Sequence, residues 1–537
     1  MKKPILSILF SFALSSAFAQ YSFINFDINP SGDSDPHDLV SYNGKLYFAA
    51  STPATGDELW VSDGTPTGTK LVADIAAGTS SSSPNSFTEL NGKLMFFANP
   101  YSLYSTDGTT AGTQLIATMT GAPTSSYGQV IAKLGNKMYF AAGTDVNELW
   151  ETDGTPTGTN KIAVFAVSAS APSAISTIRA CYGQLYISAT TSATEKELWI
   201  SDGTTAGTVL LKDINPGPVG SDPRLFTEFK NKVYFAAHSN GSGRELWETD
   251  GTPSGTKQVT DLVGSSSGLT DGYFFLRVYN NELYFNGYNS NNLLSLFKTD
   301  GTTAGTTMVH QLYNTPLGNN LIVSSTEYKG KLYFAAQGFD SSGIWCTDGT
   351  TAGTTNITTN LLKDNLADRL IIYNSKLYFS AFNTTSDYML YHTDGTVAGT
   401  KMLNSPGALP NPLTPQSTFS NFTIANGYLF FGASFTSTGN ELWALKDSSL
   451  TIGNNAQPLP ASTTLYPNPA HHNFTIKTTT VFKTGSVTLT DVTGRVVKTE
   501  KLYNNEQTIS LQGISPGMYI ADVWLDGKRS TQKLVVE

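Results

Sequence analysis

Short apolar runs, most of them opened by Lys, recur along this chain. The first reads Lys45-Leu46-Tyr47-Phe48-Ala49-Ala50. It returns as Lys93-Leu94-Met95-Phe96-Phe97, Lys137-Met138-Tyr139-Phe140, Gln184-Leu185-Tyr186-Ile187, Lys232-Val233-Tyr234-Phe235, Glu282-Leu283-Tyr284-Phe285, Lys331-Leu332-Tyr333-Phe334 and Lys376-Leu377-Tyr378-Phe379. A ninth, Tyr428-Leu429-Phe430-Phe431, follows. None alternates apolar with polar, so each predicts a strand covered on both faces rather than one with a wet side. Each run sits second in a unit of four strand-sized pieces, A to D. In the first unit these fall at 38–42, 45–50, 58–62 and 70–75. Asn43-Gly44 separates A from B, a pair that favours a two-residue hairpin.

A second marker keeps step with the first. Asp-Gly-Thr begins at Asp63, Asp107, Asp153, Asp202, Asp250, Asp300, Asp348 and Asp394, at intervals of 44 to 50 residues. In every copy a Gly follows the Asp by five positions and a Thr by six, as in Gly68 and Thr69. Three residues before each Asp stands an aromatic: Trp60, Tyr104, Trp150, Trp199, Trp247, Phe297, Trp345 or Tyr391. The ninth unit reaches Glu441-Leu442-Trp443 and has no Asp-Gly-Thr after it.

The two ends of this array complement each other. Phe26-Asp27-Ile28-Asn29-Pro30, followed by Ser34-Asp35-Pro36, matches Lys212-Asp213-Ile214-Asn215-Pro216, followed by Ser221-Asp222-Pro223. The array therefore opens on a lone D piece, and its last unit stops near Lys446 without one. An open solenoid needs polar caps at its ends. A ring closed by its own termini needs this arrangement instead. The expected fold is all-β, a closed β-propeller of nine four-stranded blades. Eight is the alternative count, because propellers typically carry four to eight.

Composition agrees with many short strands and tight turns. Of 537 residues 48 are Gly, 25 Tyr and 29 Phe, and charged residues make up only 14%, a profile unlike that of a helical bundle. The net charge is −9. The segment 460–537 is slightly basic, so the acidity lies in the repeats; this argues against nucleic acid and anionic lipid as partners. Cys181 and Cys346 are the only two cysteines. They fall at different points of the repeat and are expected to be buried thiols, so packing rather than cross-links must supply stability.

The first residues follow the three-part plan of a secretory signal peptide. Lys2 and Lys3 precede an apolar run at 5–14, and Ala17-Phe18-Ala19 leads to cleavage between Ala19 and Gln20. The run is too short to span a bilayer, and no later segment is apolar enough, so no transmembrane segment is expected.

Candidate chemistry is sparse. The fixed Asp-Gly-Thr spacing predicts a structural turn, in which the Asp accepts bonds from nearby backbone N–H groups and Gly supplies positive φ. The functional alternative is calcium, but each loop offers one carboxylate where such a site needs several. The repeated aromatics are either a sugar-binding surface or core between blades, and their regular strand position favours core. His471-His472 is an isolated surface pair. No G-x-S-x-G, H-E-x-x-H or paired-Cys pattern occurs, so no catalytic, cofactor-binding or metal-ligating residue is assigned. Convergence of residues from several blades on a central channel leaves an enzyme open.

The repeats resemble the ELWxxDGT repeat family of bacterial exported proteins. The units opening at Glu58, Glu148, Glu197 and Glu245 match its motif in full; those opening at Ser102, Ser295, Gly343 and Met389 lack the Glu. This resemblance implies export and a propeller-type fold. A linker rich in Pro, Ser, Thr and Asn follows at 447–463. Beyond it come Tyr466-Pro467-Asn468-Pro469, Gly494-Arg495 and Gly517-Met518-Tyr519 among short alternating strands, the pattern of a small Ig-like β-sandwich. This segment, 464–537, is similar to the type A C-terminal sorting domain of the type IX secretion system of Bacteroidetes. That resemblance implies recognition by the type IX machinery and delivery to the outer-membrane surface or the medium. The expected organisation is a signal peptide at 1–19, a propeller at 20–446, a linker and a sorting domain. The expected role is non-enzymatic binding or adhesion, with an unidentified glycan or protein ligand. The alternatives are a secreted hydrolase or lyase with a channel site, and a structural surface component.

Overall fold

The computed structural model describes residues 21–537 except 100, 121–129, 167–173, 191–194, 218, 240, 242, 265–267, 270–274, 314–320, 338–341, 360, 363–366, 383–387, 404–421, 436–438, 448–462, 479–481, 483–484, 492–495 and 526–527. The segment expected to be a signal peptide, with Ala19 and Gln20, nearly all of the expected linker, and Gly494 and Arg495 lie outside the described residues. Those described form strands and turns without a helix. They divide into two compact units, the larger comprising 25–404 and 408–444.

Nine four-stranded antiparallel sheets carry the repeats. In the first, A is His37–Tyr42, B Lys45–Thr52, C Gly56–Ser62 and D Lys70–Ala73, paired in that order. The next seven follow the same plan and are numbered here as blades 2 to 8 along the chain. Blade 9 takes A, B and C from Thr423–Ala425, Tyr428–Phe435 and Gly439–Asp447, and its fourth strand is Tyr21–Asn25. Just past that strand, Phe26 N donates to Leu442 O at 3.1 Å.

Local chemistry explains the edges of each blade. Asn43 and Gly44 both hold positive φ, 48° and 71°, as a primed hairpin turn requires. Strand A starts irregularly: its pairing with B breaks between His37 and Val40, and Asp38 sits at φ 53°. The same kink recurs at Ser86, Leu225 and Arg369. Strand D is short and uneven, five residues in Gln114–Thr118 but two in Lys257–Gln258, Thr355–Asn356 and Lys401–Met402.

The B strands explain their own unbroken hydrophobicity. Tyr42, Tyr47, Leu59, Val61 and Val72 of blade 1 pack against Leu94, Phe96 and Ala98 of blade 2. The other face of that strand, Met95 and Phe97, packs with Met138 and Phe140 of blade 3. Successive residues thus serve opposite neighbours, and both faces must be apolar. Phe48, Phe96, Phe140, Phe235, Phe285, Phe334, Phe379 and Phe430 are all fully buried. Each contributes about 1.5–3 kcal/mol by burial.

The 464–537 segment has its own core. A three-stranded sheet is built from Thr463–Tyr466, Asn473–Thr478 and Glu506–Ser510. A four-stranded sheet runs in the order Val496–Leu502, Gly485–Asp491, Gly517–Leu525, Lys528–Val536. Phe474, Ile476 and Ile509 of the first meet Val487, Leu489, Ala521 and Val523 of the second in one cluster.

Candidate functional site

The eight Asp-Gly-Thr loops share one hydrogen-bond plan. In the first, Asp63 Oδ1 accepts from Thr65 N at 2.9 Å and from Thr65 Oγ1 at 2.7 Å. Gly68 N then donates to Thr65 Oγ1 at 3.0 Å, and Thr69 Oγ1 donates to Thr65 O at 2.9 Å. Gly64 N donates to Ser62 Oγ at 3.1 Å, which ties the loop to the end of strand C. The Asp-to-Thr pair of bonds recurs at Asp107, Asp153, Asp202, Asp250, Asp300, Asp348 and Asp394. These Thr bonds hold the Asp carboxyls below their ordinary value, as at Asp202 and Asp348. The invariant Gly has a steric cause: a Cβ on Gly68 would lie 2.0 Å from Asp63 Oδ1. One carboxylate oxygen per loop is therefore committed to the turn. Among the described residues no group of three or more His, Cys, Asp or Glu is arranged to hold a metal ion.

The same loops receive bonds from the preceding blade. Asn91 Nδ2 donates to Asp153 O at 2.9 Å, Lys230 Nζ to Asp300 O at 3.0 Å and Lys329 Nζ to Asp394 O at 3.0 Å. Each runs from the A–B turn of one blade to the Asp of the next. Asn426 Nδ2 of blade 9 donates to Asp63 O of blade 1 at 2.6 Å. The A strands interlock likewise: Tyr42 OH donates to Gly92 O, Tyr328 OH to Ser375 O and Tyr373 OH to Gly427 O, at 2.6, 2.6 and 2.7 Å.

Four of the eight aromatics before the Asp are core. Trp60, Tyr104, Trp150, Phe297 and Tyr391 stand opposite Phe48, Phe96, Phe140, Phe285 and Phe379 across the B–C pair. Ring centroids for Phe96–Tyr104 and Phe379–Tyr391 are 5.7 and 5.3 Å apart and stacked. Trp60, Tyr104, Trp150 and Trp199 are half-buried and the other four buried. Both cysteines are free and buried. Among the described residues, exposed carboxylates on the A strands include Glu89, Glu228 and Glu327, on blades 2, 5 and 7.

The motif Glu on strand C has a structural role that its place in the motif did not suggest. Glu58 is fully buried and accepts from Ile75 N at 2.8 Å, Ala76 N at 3.1 Å, Ser82 N at 3.0 Å and Ser82 Oγ at 2.7 Å. Those donors belong to the crossover that carries the chain from blade 1 into blade 2. Glu197, Glu245 and Glu441 are equally buried and grip the matching crossovers. Glu148 departs from the pattern: it pairs with Lys161 Nζ and Trp150 Nε1, at 2.8 and 2.9 Å. The recurring Ser-x-Pro at Ser34, Ser82 and Ser221 was the available sequence signal, since those serines supply the hydroxyls.

In the C-terminal segment the motif residues fasten strands together. Tyr466 OH donates to Glu506 Oε1 at 2.5 Å. Asn468 Nδ2 donates to Lys533 O at 2.6 Å, and its Oδ1 accepts from Val535 N at 2.8 Å, pinning the Pro467–Pro469 turn to the last strand. Tyr519 is buried and its OH donates to Ser515 O at 2.7 Å. Gly517 opens the strand that carries Tyr519. Both residues of His471-His472 are exposed.

Residues 464–537 match the family model of the secretion system C-terminal sorting domain. Such a domain is recognised by the type IX machinery, so the protein is exported to the cell surface or the extracellular space. Among the described residues no helix is long and apolar enough to cross a membrane. No curated protein matches the chain. Among solved structures it is similar to the computationally designed protein Ika8, at 13% identity over 68% of this chain and 97% of that one, with a TM-score of 0.39. It is also similar to PorZ, a surface component of the type IX secretion system of Porphyromonas gingivalis, at 13% identity over 94% and 81%, TM-score 0.21. A third likeness is to the extracellular domain of a putative one-component system from B. thetaiotaomicron, at 11% identity over 97% and 99%, TM-score 0.26. Likenesses at these scores carry no argument about function.

Proposed function

We propose that the nine blades close into a propeller that serves as a rigid, exported scaffold for non-enzymatic binding or adhesion, with a glycan or protein as ligand. The observation that carries closure is the bond from Asn426 Nδ2 to Asp63 O. It repeats between blades 9 and 1 the contact that Asn91, Lys230 and Lys329 make between consecutive blades. Thr423 Oγ1, which donates to Leu39 O at 3.0 Å, supports the same neighbour relation. In this reading the repeats belong to the ELWxxDGT family of Bacteroidetes, and the Asp-Gly-Thr loops are architectural turns. The chain then runs as signal peptide 1–19, propeller 20–446, linker 447–463 and an Ig-like sorting domain 464–537.

Export and binding are tested separately. Deleting 465–537 is expected to trap the protein in the periplasm; unchanged surface delivery would overturn the sorting assignment. The full mature chain, applied to a glycan array and to surface-protein extracts, is expected to give saturable binding to one ligand class. Turnover of a bound glycan would replace binding with catalysis at the channel. Retention of no ligand would leave a structural surface component.

A further inference from the structure

The C-terminal segment turns two unlike faces outward. On its three-stranded sheet Phe474, Ile476 and Ile509 point into the core. The alternate positions are polar, among them Asn473, Thr475, Lys477 and Thr508. These answer one another: Thr475 Oγ1 lies 3.0 Å from Thr508 Oγ1, and Lys477 Nζ 2.9 Å from Glu506 Oε2. Tyr466, on the same face, gives its OH to Glu506.

The four-stranded sheet differs. Its strand Gly517–Leu525 lies inside the sheet, between Gly485–Asp491 and Lys528–Val536. Tyr519, Ala521, Val523 and Leu525 belong to the core. The alternate positions are Met518, Ile520, Asp522 and Trp524. Met518, Ile520 and Trp524 are 48, 44 and 42% exposed. Val496, also exposed, widens this apolar line, since it pairs with Thr490 and Thr490 with Ile520. Small hydroxyl residues stand between, Ser486 opposite Trp524 and Thr488 opposite Asp522. Exposed lysines flank the line: Lys501 opposite Ser486, and Lys533 opposite Ile520.

A strand apolar on both faces is one covered on both sides, as the B strands of the blades are. Here the second face is exposed, and a contiguous apolar patch of this kind marks an interaction site. A domain recognised by the type IX machinery presents a surface to it. Trp and Met at the centre with charge at the margin is the composition of an interface core and rim. Four strands about 4.8 Å apart, and six steps of about 3.3 Å from Met518 to Trp524, give a face of roughly 400 Å². A stable protein pair covers about 800 Å² on each partner. The face is therefore sized for a contact that forms and releases, not for a permanent dimer. Self-pairing also needs a patch complementary to itself, whereas Lys501 and Lys533 against half-buried Asp522 leave this one basic among the described residues.

We propose that the outer face of the four-stranded sheet, centred on Ile520 and Trp524, is the surface the export machinery reads. Its partner there is a protein with an apolar centre and an acidic margin. The proposal rests on the sorting assignment of 464–537.

Full-length Ile520→Asp and Trp524→Ser are compared in cells that run type IX export with Thr508→Asp, which puts the same charge on the polar face. For the first two, the amount at the surface is expected to fall tenfold or more, with the chain held in the periplasm. Thr508→Asp is expected to match the wild type. Normal delivery of Ile520→Asp, or an equal loss in Thr508→Asp, overturns the proposal. Deleting 465–537 separates the two layers. If the deleted chain is delivered, the sorting assignment and the face fall together; if it is trapped while Ile520→Asp is delivered, the face alone is wrong. Should Ile520→Asp fail to fold, Ile520→Thr decides, because Thr suits a strand and removes only the apolar group; at least a threefold loss is expected. Ile520→benzoylphenylalanine, irradiated during export, is expected to crosslink to a protein component of the type IX machinery identified by mass spectrometry. Crosslinking to lipid, or to this chain in the same or another copy, overturns the proposal.

Discussion

Replacing Glu58 by Ala should cost far more than replacing Glu148 by Ala, although both occupy the same place in the repeat. Glu58 is fully buried and takes four hydrogen bonds from the crossover into blade 2. Ser82 N has a second acceptor in Asp57 O at 3.0 Å, so its loss is partly covered. The bonds from Ile75 N and Ala76 N have no such cover. Leaving two half-buried donors unpaired costs about 1–2 kcal/mol each, toward the lower end for an unsatisfied group, and emptying the side chain's volume adds to this. A total of about 3–4 kcal/mol follows, because neighbouring losses do not add fully. Glu148 offers a contrast: it is partly exposed and bonds Lys161, itself 43% exposed. Such a pair is worth about 0–1 kcal/mol. Native-state hydrogen exchange at the amides of Ile75 and Ala76 reads the difference locally, since a nine-sheet chain need not unfold in one step. Glu58→Ala should lower their protection by at least about a hundredfold, at about 1.4 kcal/mol per decade. Glu148→Ala should leave the protection of Lys161 and Ile162 within about tenfold. Equal losses in the two variants would refute the claim that burial of the motif Glu, rather than its presence, stabilises the crossover.

Two further outcomes follow from named contacts. Gly207→Ala places a Cβ 2.0 Å from Asp202 Oδ1, so it should destabilise the loop by about 1–3 kcal/mol. An unchanged melting temperature would contradict the turn geometry. His37 is pushed down by burial, but its bonds to Asp38 and Asp57 win and raise it from 6.5 to about 9. Its stabilisation is therefore complete below 6.5 and lost as pH climbs through about 9. His37→Gln should flatten the fall in melting temperature between those values, and identical wild-type and variant curves would count against the ion pair.

The repeat was legible because each blade solves the same packing problem twice, once per neighbour. That forces B strands such as 45–50 to be apolar throughout, which marks them plainly. The hairpin at Asn43-Gly44 and the Asp-Gly-Thr spacing are short-range and survive in the sequence for the same reason. Strand ends were less legible. Strand D reads as 70–75 but closes at Ala73, because Ile75 N turns away to Glu58. Strand A begins with a kink at Asp38 that no pattern of polarity announces. The hold of Glu58 on the crossover was hidden by distance: its donors lie 17 to 24 positions onward, in a stretch without periodicity. Nor does the motif distinguish Glu148 from Glu58. That difference depends on Lys161, which takes the place opposite Trp150 that Leu71 takes opposite Trp60.

Ile28 and Glu441 are joined by a hydrogen bond across 413 positions of chain. A contact so distant in sequence cannot form until nearly the whole array has been made, and the entropy of bringing such ends together slows it further. Each blade's hairpins can assemble early, but their union must wait for the final residues of the repeats. A polypeptide cut short during synthesis would keep most of its sheets and still lack its seam. Completion of the seam thus reports that synthesis has passed Glu441, the last part of the repeats, before the exported molecule meets proteases outside.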